Sequence, residues 1–200
     1  MNSPKLQTDS RRTPAANDGR TVCCAASLSA FEAESQSLLP LYMLHVLQQI
    51  AFCEAPGWRI GERAGALRIA GTFTPLLTRW HQAIENEGWL EQRRGIWYAG
   101  ECMPPDGAVE QRLDDGRHRL RQFLNGMKDG YRAVGLLFPA IGAIEPVFRE
   151  PQLAGGRLFP DVALFAQPGP EVDLLKRIAA ELWAPIVSEA WESLLIRMPD

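Results

Sequence analysis

Apolar positions recur along this chain at three- and four-residue steps, and glycine and proline mark the breaks between the runs. In SQSLLPLYMLHVLQQIAFCEAPGW, Leu41, Leu44, Leu47 and Ile50 share one side of a helix, and Met43, Val46 and Phe52 widen the stripe. A stripe that broad predicts a largely buried helix of about four turns. Pro40 suits its first turn, where a missing N–H costs nothing, and Ala55-Pro56-Gly57 ends it. Order is therefore expected from near Ser35, with residues 1–34 a disordered leader, because Ser, Thr, Pro, Asn and Asp dominate the first thirty or so.

WRIGERAGALRIA carries two interior glycines and predicts only a short helix around Glu62–Leu67. The next segment, TFTPLLTRWHQAIENEGWLEQRRGIWYAG, is patterned more sharply. Thr74 reads as an N-cap and Pro75 as a first-turn residue. Leu76, Leu77, Trp80 and Ile84 form one face, and Gly88 stands where helices end in a left-handed residue. WLEQ and IWYA flank Arg93-Arg94-Gly95, a hairpin turn. Helix, short helix, helix, hairpin is the order of a winged helix, so residues 35–100 are expected to form a winged-helix-like unit.

ECMPPDG reads as a linker, and Val109–Met127 as a helix weakened by Gly116. The stretch from Asp129 to Pro170 is broken by Gly and Pro into short pieces, yet Leu137, Phe138, Ile141, Val147 and Phe148 mark it as packed. Glu171–Ile196 predicts a long final helix that Pro185 kinks or divides. The expected fold is mainly α: a winged-helix-like unit with a small β-hairpin, followed over residues 101–200 by a helical segment ending in a long kinked helix.

Net charge is −3, so nothing global draws the chain to a phosphate polymer. Cys23, Cys24, Cys53 and Cys102 lack C-x-x-C or Cys/His spacing, and they read as reduced structural thiols of a cytoplasmic protein. No apolar run has the length of a membrane span. SRRTP near the start is followed by polar AANDGR, so export is not expected.

Were the patterned segment a DNA reader, its helix would present Arg79, His81, Gln82 and Asn86, and Arg93 and Arg94 would reach phosphate from the wing. Between Trp58 and Tyr98, however, Arg59, Arg63, Arg68, Arg79, Arg93 and Arg94 face Glu62, Glu85, Glu87 and Glu91. So small a cationic surplus releases few counterions. Trp89, Trp97 and Tyr98 suit a core or a protein interface better than duplex DNA. His81 beside Trp80 also has a plain reading, as a partly buried, hydrogen-bonded side chain.

No P-loop, G-x-S-x-G elbow, H-E-x-x-H or strand-borne G-x-G-x-x-G is present. Asp114-Asp115 point to different sides of a helix and read as solvated surface. Gly155-Gly156 lacks a strand–turn–helix setting. No catalytic, cofactor-binding or metal residue is expected, and the chain does not read as a self-contained enzyme.

The order of a buried helix, LLTRWHQAIENEGWLEQRRGIWYAG, DGYRAVGLLFP, IEPVFRE and LLKRIAAELWAPIVSEAWESLL resembles a known region. It is similar to the N-terminal helical lid region of S-adenosylmethionine-dependent C-methyltransferase domains of polyketide synthases and hybrid assembly lines, over about Leu38–Leu195. In that family the region leads into a strand and an E-x-G-x-G-x-G-type loop that hold the methyl donor. Here Arg197-Met198-Pro199-Asp200 stand where that strand would begin. The resemblance therefore implies S-adenosylmethionine for an associated catalytic domain and none for this chain alone. It implies that domain and an acyl carrier protein as partners, with docking through Trp183, Ile186, Trp191 and Leu195 of the last helix. A winged-helix DNA-binding regulator and a free-standing scaffold protein of a biosynthetic cluster are the alternatives.

Overall fold

A computed structural model describes residues 18–123, 134–135, 137–153, 157–158 and 170–183. The described chain is mainly helical, with one two-stranded antiparallel hairpin. The first apolar stripe belongs to α1, Asp18–Gln49. The helix begins well before Ser35, so residues 18–34 are not part of a disordered leader. Phe31, Ser35, Leu38 and Tyr42 are all buried at helical spacing, and a buried serine in that line hid the upstream turns from the apolar pattern.

Pro40 lies in the interior of α1, not in its first turn. Its ring removes one intrahelical hydrogen bond. The helix continues because Leu38, Leu39, Leu41 and Tyr42 on either side are buried. It closes through left-handed Ala51 (φ 60°), with Ile50 N–H donating to Val46 O at 3.1 Å and Ala51 N–H to Gln48 O at 2.9 Å. Arg63 donates to the carbonyls of Ala51 and Phe52 just beyond this end.

Helix α2, Ile60–Ala66, ends in the same way at left-handed Arg68 (φ 58°), with Ile69 N–H donating to Ala64 O at 2.9 Å. A 3₁₀ turn, Gly71–Phe73, runs directly into α3, Thr74–Asn86. Thr74 is consequently the first helical residue and caps nothing; Phe73 holds the N-cap position without a side-chain bond. After Gly88 (φ 74°) come β1, Leu90–Arg93, and β2, Ile96–Ala99, paired Leu90 to Ala99 and Arg93 to Ile96. Arg94 and Gly95 both have positive φ (52° and 79°), the pattern of a type I′ turn. Trp58 bridges the free side of β2, exchanging backbone hydrogen bonds of 3.0 and 2.8 Å with Trp97.

Helix α4, Asp106–Phe123, runs antiparallel to α1, as three contacts show: Gln48 with Pro104 O, Leu38 with Gly116, and Glu34 with Arg119. Gly116 is buried at the crossing of the two helices. A Cβ there would lie 2.3 Å from Leu38 Cδ2, so the glycine sets how closely the helices approach. Helix α5, Ile141–Arg149, and helix α6, Pro170–Trp183, with 3₁₀ turns at Phe52–Glu54 and Pro151–Leu153, complete the described elements. The remainder of the expected final helix, with Pro185, lies outside the described residues.

One core joins these elements. Through it runs a chain of edge-to-face rings, Phe138–Tyr42–Trp183–Trp80–Phe148–Phe73, with centroids 5.1 to 6.1 Å apart. It links α1, α3, α5 and α6. The buried polar tips are satisfied: Tyr42 O–H donates to Pro139 O at 2.5 Å, Trp80 Nε1–H to Leu182 O at 3.0 Å and Trp183 Nε1–H to Leu137 O at 3.4 Å. Burial holds the Tyr42 phenol well above its ordinary pKa, so it remains a donor.

Candidate functional site

The amphipathic helix α3 turns Leu76, Leu77, Trp80, His81 and Ile84 inward, which leaves Pro75, Arg79, Gln82 and Asn86 outside. His81 is fully buried and cannot meet DNA. It sits among Phe52, Trp58 and Trp97, whose rings meet it edge-on with centroids 5.0 to 6.0 Å away. Trp58 Nε1–H donates to His81 Nε2 at 2.9 Å, and that nitrogen must therefore carry a lone pair. Nδ1, 2.7 Å from Leu77 O, holds the ring's one proton and donates it. Burial lowers the pKa of this imidazole from 6.5 to about 4, against a smaller opposing effect of the Leu77 carbonyl. His81 is a neutral structural link between α3 and the strand-like Trp58.

Two cations of the helix–hairpin unit, Arg79 and Arg93, are engaged within the chain. Arg79 Nη2 donates to Glu181 O at 2.5 Å, so α6 lies against this side of α3. Arg93 pairs with Glu91 at 2.6 Å and stands 6.0 Å from the Tyr98 ring centroid. Arg94 is exposed at the turn. Glu85 accepts the Gln92 N–H at 3.1 Å and so covers one exposed donor of strand β1. The six residues that a winged-helix reader would use are thus one buried histidine, two tethered arginines, and the exposed Gln82, Asn86 and Arg94.

Elsewhere the chemistry is quiet. Burial, with Asp106 adding, pushes the Cys53 thiol up to about 12, which keeps it protonated and unreactive, while Cys102 is exposed. Asp114 and Asp115 are exposed, and Asp114 pairs with Arg117 at 3.2 Å. His45 is buried on α1, its pKa lowered chiefly by burial and further by Arg117. Among the described residues no cluster of His, Cys, Asp and Glu has metal-binding geometry, and no helix is long and apolar enough to cross a membrane. Gly155-Gly156 lies outside the described residues.

The expected docking residue Trp183 is not at a surface. It is fully buried between Tyr42 and Trp80, because α6 turns its apolar side onto α1 and α3. Ile186, Trp191 and Leu195 lie outside the described residues. The pattern along α3 showed that His81 would be sheltered. Its partners Phe52 and Trp58 carry no sequence signal, since each comes from a separate turn and only the fold brings them together.

No protein-family model matches the chain, and no curated protein sequence matches it. Its fold does recur in two solved structures. The crystal structure of DszA carbon methyltransferase superposes with a TM-score of 0.52 at 17% identity, over 94% of this chain and 46% of that one. The selenomethionine-substituted CurJ carbon methyltransferase gives 0.50 at 17% identity, over 90% and 47%. The chain thus spans under half the length of each, and shares the fold of a part of these carbon methyltransferases.

Proposed function

We propose that this chain is a lid or substrate-recognition portion of a carbon methyltransferase acting on acyl groups bound to a carrier protein. One observation carries the reading: nearly all of this chain, but less than half of each neighbour, is shared with two carbon methyltransferases. The shared part therefore leaves room in such a protein for a separate catalytic portion. Among the described residues the strands are β1 and β2, an antiparallel pair. They do not assemble a methyl-donor cradle at the end of a parallel strand. In this reading S-adenosylmethionine belongs to the associated catalytic domain, and no step of methyl transfer is assigned to residues described here.

The chain's part in this reading is physical: it covers the acyl group and excludes water from a site completed by another domain. Ile186, Trp191 and Leu195 are the proposed docking positions. Against nucleic-acid binding, Arg79 and Arg93 are already bonded within the chain, and His81 is buried. Titration calorimetry with an acyl-loaded carrier protein, beside fluorescence titration with mixed-sequence duplex DNA at two salt concentrations, tests the reading. Saturable binding of the acyl carrier is expected. Salt-sensitive DNA binding that disappears in Arg79→Ala and Arg93→Ala, with no response to the carrier, would overturn it.

A further inference from the structure

A cleft of about 190 Å³ opens where the C-terminal ends of α1 and α2 meet α5. Its floor is apolar: Ile69 and Phe148 are buried there, and Ile50 and Leu67 are half-buried. Its rim is polar, formed by Gln49 and by Glu145 and Arg149, which pair at 2.7 Å one turn apart on α5. The walls are fixed in advance. Left-handed Ala51 and Arg68 turn the chain sharply at the two helix ends, and Ala70 N–H donates to Phe148 O at 2.8 Å, tying α5 to the strand-like link after α2. Ala51 and Arg68 are the residues that close α1 and α2, so the helix ends set the shape of the cleft.

We infer that this cleft binds a short, neutral aliphatic chain ending in a primary amide. The rim decides the class. Glu145 and Arg149 set an acceptor beside a donor with no net charge, so a carboxylate ligand would leave Glu145 without its cation and an ammonium ligand would displace Arg149. A primary amide presents an N–H and its carbonyl on one edge, the N–H to Glu145 and the carbonyl to Arg149, while its alkyl part covers Ile50, Leu67, Ile69 and Phe148. Pre-formed walls mean that little ordering opposes entry. The inference goes beyond the methyltransferase reading and stands without it, since it requires neither a carrier protein nor a catalytic partner.

The test is a titration of the ¹⁵N-labelled full chain, followed by two-dimensional NMR, with butyramide, butyrate and butylammonium in parallel. The amide is expected to shift the backbone N–H signals of Ala51, Ile69 and Arg149 saturably. The charged ligands should bind about fivefold more weakly, the scale of one exposed ion pair. Ile50→Trp, at a half-buried floor position, should block the amide. Glu145→Gln, at an exposed position that leaves the fold intact, should turn the preference toward butyrate by freeing Arg149. The inference is overturned if butyramide leaves those signals unmoved, if a charged ligand binds the unaltered chain as tightly, or if Glu145→Gln leaves the order of preference unchanged.

Discussion

Acid is the perturbation to which His81 responds most. Its imidazole is neutral in the folded chain, held between the Trp58 indole N–H and the Leu77 carbonyl, with its pKa lowered from 6.5 to about 4 by burial. Above about pH 6.5 folded and unfolded chains both leave it unprotonated. Between about 6.5 and 4 only the unfolded chain takes up the proton, so stability is lost as the pH falls through that window. At about 1.4 kcal/mol per pH unit, the full window is worth about 3 kcal/mol, a large share of the ~5–15 kcal/mol that holds a domain folded. The assay is urea unfolding followed by tryptophan fluorescence between pH 7.5 and 4.5, on the unaltered chain, on His81→Leu and on the pair Trp58→Phe/His81→Leu. The single variant leaves the Trp58 N–H buried without an acceptor and should lose a further ~1–3 kcal/mol at every pH; the double variant removes that group too. Every other ionisable group is common to all three chains, so the difference in slope isolates His81. Both variants should lose about 1 kcal/mol per pH unit of slope between pH 6.5 and 5. Equal slopes in the unaltered and substituted chains, or a directly titrated His81 pKa near 6.5, would refute the reasoning.

Three further outcomes follow from the packing. Gly116→Ala should destabilise by about 1–2 kcal/mol, since overpacking against Leu38 outweighs the ~1 kcal/mol gain in helix propensity. Leu38→Ala in the same chain should remove most of that penalty, and additive losses in a double-mutant cycle would contradict the contact. Trp183→Ala should cost about 3–5 kcal/mol in thermal or urea unfolding, as a core residue does, whereas a docking residue would cost less than about 0.5 kcal/mol. In thiol labelling at pH 8, read by peptide mass, Cys53 should lag behind Cys102 by at least about a hundredfold because its thiol is held protonated; equal rates would contradict that.

What the sequence showed was what local chemistry controls. The stripe through Leu41, Leu44 and Leu47, the end of α3 at Gly88 and the hairpin at Arg94-Gly95 each follow from a period or from a backbone conformation that neighbouring residues specify. What it hid depended on distant partners. Ser35 broke the apolar line although the helix continues through it with its hydroxyl buried. Gly116 read as a weak point in a helix and is instead the place where Leu38 is accommodated. Trp183 read as an exposed anchor, and it was misplaced because Tyr42 and Trp80, which enclose it, lie on α1 and α3. The cleft between α1, α2 and α5 had one local trace, the spacing of Glu145 and Arg149, which alone suggests only a solvated ion pair.

In the function proposed, this chain supplies shape and apolar cover for methyl transfer carried out by another domain. The most direct measurement combines the purified chain, S-adenosylmethionine and an acyl thioester, following methyl transfer by mass spectrometry and donor binding by calorimetry. No methylated product and no saturable binding of the donor by the chain alone are expected. Methylation of the thioester by the chain with nothing else added would contradict it.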